Sequence, residues 1–118
     1  MKVAIIGSRS INHYYWFTIK MADLIRVHQI FITEIISGGA LGVDMMAAKY
    51  AQFNNIPVTE IEPDWNTHGK SAGFIRNKTI IEQCDMALIF WDGESKGTKH
   101  GINLCKKLVK PYHLINYY

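Results

Sequence analysis

Met86–Trp91, MALIFW, runs without a charge into Asp92–Gly101, DGESKGTKHG. A short apolar run without alternation is the pattern of a strand covered on both faces. The stretch behind it, dense in glycine, hydroxyls and lysine, suits a strand-to-helix turn beyond the carboxyl end of such a strand. The same pairing opens the chain, where Lys2–Ile6, KVAII, leads into Gly7-Ser8-Arg9-Ser10. Three further strand candidates are Ile32–Ile36, Pro57–Ile61 and Pro111–Ile115.

Between these segments the spacing turns helical. Val43, Met46, Ala47, Tyr50 and Ala51 share one helical face, and Gly101, Leu104, Cys105, Leu108 and Val109 repeat the pattern. Tyr14–His28 and Gly73–Cys84 supply two more helices. Strands alternating with helices predict a parallel sheet covered on both faces. Right-handed crossovers leave the strand orders 3-2-1-4-5 and 2-1-3-4-5. The first is favoured: one α/β, three-layer Rossmann-like domain over residues 1–118, with ligands expected where strands 1 and 4 part.

Composition narrows the function classes. The 118 residues carry 48% apolar and 19% charged side chains, ordinary values for a folded domain. A net charge of +3 fits an anionic ligand but is weak support for duplex DNA as a partner. No apolar run approaches the ~18 residues of a membrane span, and the apolar run at the N-terminus is too short for a signal-peptide core. Cys84 and Cys105 lack metal-ligand spacing, so no metal site and no cofactor are expected, and free thiols point to a cytoplasmic setting.

Four loops are candidates for chemistry. In the first, Gly7 permits a tight turn, Ser8 offers a hydroxyl, and Arg9 brings forked donors suited to phosphate. In the second, Ser37-Gly38-Gly39-Ala40-Leu41-Gly42 opens a helix whose amides can meet an anion; alternatively, the glycines only permit close packing. Asp44, in that helix's first turn, either complements the helix dipole, holds a loop, or meets a ribose hydroxyl. In the third, Trp65 near His68 and Lys70 suits a base beside a cation, or else Trp65 closes the core edge. Gly73, Arg76 and Asn77 follow at the next helix start. In the fourth, Asp92-Gly93 makes a turn, Glu94–Lys96 a loop, and Gly97-Thr98 precede the last helix, with Thr98 as its N-cap. The aromatic segment Tyr14–Phe17 is either core or the interface of a homo-oligomer.

The stretches VAIIGSR, ISGGALGVDMMAAKYA, PDWNTHGKSAGFIRNKTI and DMALIFWDGESKGTKHGI together resemble the SLOG superfamily of Rossmann-like proteins. The nearest resemblance is to its YspA/YpsA-related group, with the Lonely-guy phosphoribohydrolases and DprA-like proteins more distant. The resemblance implies a nucleotide pocket built from Gly7, Ser8 and Arg9, from Ser37, Gly38, Gly39 and Asp44, from Trp65, Gly73, Arg76 and Asn77, and from Gly93, Gly97 and Thr98. The Lonely-guy enzymes cleave the base–ribose bond with a P-G-G-x-G-T-x-x-E loop. Here Trp91-Asp92-Gly93 replaces Pro-Gly-Gly, and Gly101 stands where the glutamate would be. Base–ribose cleavage needs a carboxylate beside an oxocarbenium-like sugar, and a glycine cannot supply it.

The sequence therefore favours a domain that binds a nucleotide or nucleotide-derived small molecule, such as an ADP-ribose derivative or cyclic-nucleotide signal, as a sensor or sequestering protein. Arg9, Lys70, Arg76 and the loop amides would hold its phosphates. A nucleotide N-glycoside hydrolase using Asp44, Asp92 or Glu94 is the alternative. Single-stranded DNA binding ranks third, because the charge is modest and no basic stripe is evident.

Overall fold

Val3–Ile6 in one strand and Ala87–Phe90 in another are buried on both faces, and they form the middle of the molecule. The computed structural model describes residues 1–118. Its elements in chain order are β1 (Lys2–Gly7), α1 (Tyr14–His28), β2 (Glu34–Ser37), α2 (Val43–Phe53), β3 (Val58–Glu60), α3 (Trp65–His68), a 3₁₀ turn (Gly69–Ser71), α4 (Ala72–Gln83), β4 (Met86–Trp91), α5 (Lys96–Lys107) and β5 (Tyr112–Asn116). The sheet is parallel throughout, in the order β3-β2-β1-β4-β5. This is the Rossmann-like order expected from the sequence.

Strand alternation sorts the core into two layers. Val3, Ile5, Ile35, Leu88 and Phe90 face α1 and α2, meeting Phe17, Met21, Val43, Met46 and Ala47. Ala4, Ile6, Ile36, Ala87 and Ile89 face α4 and α5, meeting Ile80, Ile81, Ile102 and Cys105. Trp16 packs edge-on against Phe90 and Tyr117, and Phe17 is fully buried, so most of the Tyr14–Phe17 segment belongs to the core. No helix is long and apolar enough to cross a membrane.

Element boundaries differ from the sequence reading at instructive places. β2 begins at Glu34 rather than Ile32, because the Thr33 N–H and hydroxyl both bond to the Met1 carbonyl before the sheet ladder starts. α5 begins at Lys96, well before Gly101, where the apolar repeat starts. Its cap is Ser95, whose Oγ accepts the Thr98 N–H at 3.3 Å, so Thr98 lies inside the helix rather than capping it. α3 was not foreseen. Asp64 caps it by accepting the Thr67 N–H at 3.1 Å.

The β1 loop closes tightly on the start of α2, and Gly42 permits that approach. It sits at φ 75°, and a β-carbon there would stand 2.6 Å from the carbonyl oxygens of both Ser8 and Arg9. Gly42→Ala is expected to destabilise the fold by about 1–3 kcal/mol through backbone strain and this clash. A thermal unfolding midpoint indistinguishable from the parent's would show that the β1 loop and the start of α2 are not packed as described.

Candidate functional site

The loops after β1 and β4 separate because α1 follows one side of the sheet and α5 the other. Between them, beyond the carboxyl ends of the strands, lies a crevice of about 500 Å³. Its wall is formed by Ile6, Gly7, Arg9 and Ser10 from β1 and its loop, and by Ala40 and Asp44 from the β2–α2 junction. Trp65, Gly73, Phe74, Arg76, Asn77 and Ile80 come from α3 and α4, and Asp92, Ser95, Gly97 and Thr98 from the β4–α5 junction.

The sequence-predicted residues divide into lining and support. Gly7, Arg9, Asp44, Trp65, Gly73, Arg76, Asn77, Gly97 and Thr98 line the crevice. Ser8 lies beneath it, fully buried, accepting the Asp92 N–H at 3.1 Å and meeting the Thr98 hydroxyl at 3.3 Å. Gly38 supplies the carbonyl that accepts Arg76 Nη1 at 2.9 Å. Its missing side chain makes room for that guanidinium, since a β-carbon would lie 2.5 Å from Nη1. Ser37 is buried, with an unpartnered hydroxyl. Gly39 and Gly93 provide left-handed turns and pack against Glu60 and Tyr118. Neither lines the crevice. Nor does Lys70, which is exposed on the 3₁₀ turn.

The lining also includes Ser10, a hydroxyl of the first candidate loop, and Ile6, Ala40, Phe74, Ile80 and Ser95, which sequence reading did not single out. The signal for Phe74 was within reach: it lies three residues into an α4 that begins beside Trp65, and an aromatic there had no core partner to claim it. Trp65 and Phe74 are 56% and 51% exposed, two large rings left open at one crevice. Phe74 rests on His100 at 4.3 Å between ring centres, and burial lowers the His100 pKa.

Arg76 and Asn77 form a brace across the crevice. Arg76 reaches back to the Gly38 carbonyl, its Nε donates to Asn77 Oδ1 at 3.1 Å, and Asn77 Nδ2 donates to the Gly97 carbonyl at 3.3 Å. Thus α4 ties the β2 loop to the start of α5. Burial lowers the Arg76 pKa against the support of the Asp44 charge, and a guanidinium remains protonated regardless.

The three carboxylates that the sequence offers for catalysis have different environments. Asp92 is held by the Ser10 hydroxyl at 2.6 Å and by the Ser95 and Glu94 N–H groups at 2.8 Å, which bring its pKa down to about 2. It is a loop fastener with both oxygens occupied. Glu94 is exposed and outside the lining. Asp44 is 6% exposed; one oxygen accepts the Ala40 N–H at 3.1 Å and the other has no partner. Burial raises its pKa to about 6, outweighing the Ala40 N–H and the Arg76 charge. Gly101, at the position of the hydrolases' glutamate, faces inward, and a β-carbon would lie 2.5 Å from Ile6 Cδ1.

Folded Asp44 keeps its proton to about pH 6, whereas in the unfolded chain it ionises near 3.8. The folded state therefore binds more protons across that window, and stability falls as pH rises through it, by an amount on the order of 3 kcal/mol. Asp44→Asn should remove this segment of the pH–stability curve. The carboxyl resonance of Asp44, followed by NMR, should titrate close to pH 6. A midpoint near 4 would contradict the buried placement.

Three comparisons bear on this site. Residues 1–68 match the family model described as YAcAr, the YspA, cpYpsA-related SLOG family. Gene 61 protein of Mycobacterium phage D29 is 35% identical over 80 residues, covering 62% of this chain and 63% of that protein. The fold is also similar to DNA processing protein A from Helicobacter pylori, with a TM-score of 0.68 and 27% identity over 97% of this chain and 64% of that one. That protein's structure concerns a unique single-stranded DNA binding mode. The chain thus spans under two thirds of each relative's length. The likeness to a protein described as binding single-stranded DNA overturns the expectation of a nucleotide-derived small molecule as the partner. With its order of strands, its glycine loops and a family match over more than half its length, the chain belongs to the YspA, cpYpsA-related SLOG family.

Proposed function

We propose that the protein binds single-stranded DNA, with the crevice seating a short segment of the strand. The observation that carries this reading is the meeting of two guanidinium groups, Arg9 and Arg76, with two half-exposed rings, Trp65 and Phe74, in one open crevice. Single-strand binding combines cations for the backbone with aromatic faces on which successive bases stack. The likeness to a protein described as binding single-stranded DNA supports the same reading.

The roles follow from position. Arg9, exposed and with no side-chain hydrogen bond within the chain, is the free phosphate contact. Arg76, braced by Gly38 and Asn77, is the fixed one. Gly97 and Thr98 present the start of α5 to a phosphate oxygen. Trp65 and Phe74 provide the stacking surface. Asp44 lies beside Arg76 at the crevice wall and counts against a phosphate held there when ionised. A bound phosphate therefore raises the Asp44 pKa above about 6, and DNA affinity declines as pH rises from there. The free buried thiols suit a cytoplasmic setting.

Fluorescence anisotropy with an oligothymidylate tests the reading. Trp65→Ala should weaken binding by about 1–3 kcal/mol, the usual worth of one stacked base. Arg9→Ala should reduce the slope of log affinity against log salt by about 0.7, one single-strand phosphate contact. The parent's affinity should fall between pH 6 and 8, and Asp44→Asn should flatten that dependence. If both Trp65→Ala and Arg9→Ala bind like the parent, the crevice is not where DNA sits.

A further inference from the structure

The charge of the chain is unevenly placed. Ser95–Tyr118 contains five lysines and no acidic residue, while the first 94 residues hold eight Lys and Arg against ten Asp and Glu. Four of those lysines, Lys96, Lys99, Lys106 and Lys107, are in α5, and each is exposed. At helical spacing they fall with exposed Asn103 in an arc of about 100°. The opposite face of α5 is buried through Thr98, Gly101, Ile102 and Cys105. A basic stripe that is invisible in the net charge therefore runs the length of one helix. The apolar repeat over Gly101–Val109 dominates the pattern of this segment and masks the stripe.

We infer that this α5 stripe is a second anion surface, the track along which a single DNA strand continues after leaving the crevice. The inference rests on the single-strand reading above and extends it to a surface outside the crevice. Three observations connect the two. Ser95, Gly97 and Thr98 line the crevice, so the stripe begins at its edge. Lys96 and Lys99 flank that edge within the first turn of the helix. From Lys96 to Lys107 the stripe covers about 16 Å of helix axis, long enough for several phosphates. A membrane surface fits less well, because the side of α5 that could enter the acyl region is the one buried against the sheet. Lys110 is set apart, its Nζ held by the Cys84 carbonyl at 2.5 Å.

Oligothymidylates of about 4 and about 16 nucleotides separate the crevice from the track. The variant Lys99→Ala/Lys106→Ala/Lys107→Ala should bind the short oligonucleotide like the parent. With the long one, its salt slope should shrink by about 2, as three single-strand phosphate contacts are lost. Asn103→Glu, which places a negative charge midway along the stripe, should weaken long-oligonucleotide binding alone. All four positions are exposed, so unchanged thermal midpoints are expected and would exclude misfolding as the cause. A parent-like salt slope in the triple variant, or equal loss on both lengths, overturns the track. So does binding of the parent to phosphatidylserine vesicles without any preference for the longer DNA. If Arg9→Ala leaves the short oligonucleotide unaffected while the triple variant still loses the long one, the crevice reading fails and the track stands.

Discussion

Every polar group of Ser8 is engaged, and the crevice depends on it. Its N–H donates to the Phe90 carbonyl at 3.0 Å, its carbonyl accepts from Ile11 and Val43, and its hydroxyl accepts the Asp92 N–H and meets Thr98. One fully buried residue thereby joins β1, β4, α2 and α5 at the point where the strand order reverses. A buried polar group left unpaired costs about 1–3 kcal/mol, so each of these partners is held in register by the others. Gly7 and Gly42 follow from this arrangement. Both stand where a β-carbon would intrude, on Phe90 and Val43 in one case and on the Ser8 and Arg9 carbonyls in the other.

A second layer of constraint comes from α4. Arg76 and Asn77 reach in opposite directions, to Gly38 and to Gly97, so the two loops flanking the crevice cannot move independently. The pair is therefore structural before it is anything else. The same guanidinium that presents charge to the crevice is also its brace, with Asp44 buried behind it. Asp92 works similarly at the other rim, closing its own turn and catching Ser10. Carboxylates in this molecule hold loops. In a sequence, that role looks the same as a catalytic one, because spacing does not reveal whether an oxygen's lone pairs are already occupied.

The strand order was legible because β1 and β4 are unbroken apolar runs, and burial on both faces leaves such runs only a central place. The glycine loops were legible for a related reason, as close approach and positive φ leave few alternatives to glycine. What the sequence concealed was long-range. Phe74 has only its lack of a core partner as a local sign, since its place at the crevice depends on α3 and the 3₁₀ turn that deliver α4. Ser95 was hidden as a cap behind Thr98, which has the same chemistry three residues later. The low rank of single-stranded DNA rested on the modest net charge, and that sum cancels a lysine-rich helix against a slightly acidic remainder.

The two thiols have a bearing on motion. Cys84 and Cys105 lie in the layer between the sheet and the α4–α5 pair, and burial raises both pKa values, that of Cys105 to about 11. Neither has appreciable thiolate while that layer is closed. Labelling by a thiol reagent must therefore await a local opening of α4 or α5 away from the strands. The protein carries its own clock for the breathing of the wall that separates crevice from core, and any strand seated across that wall would slow it.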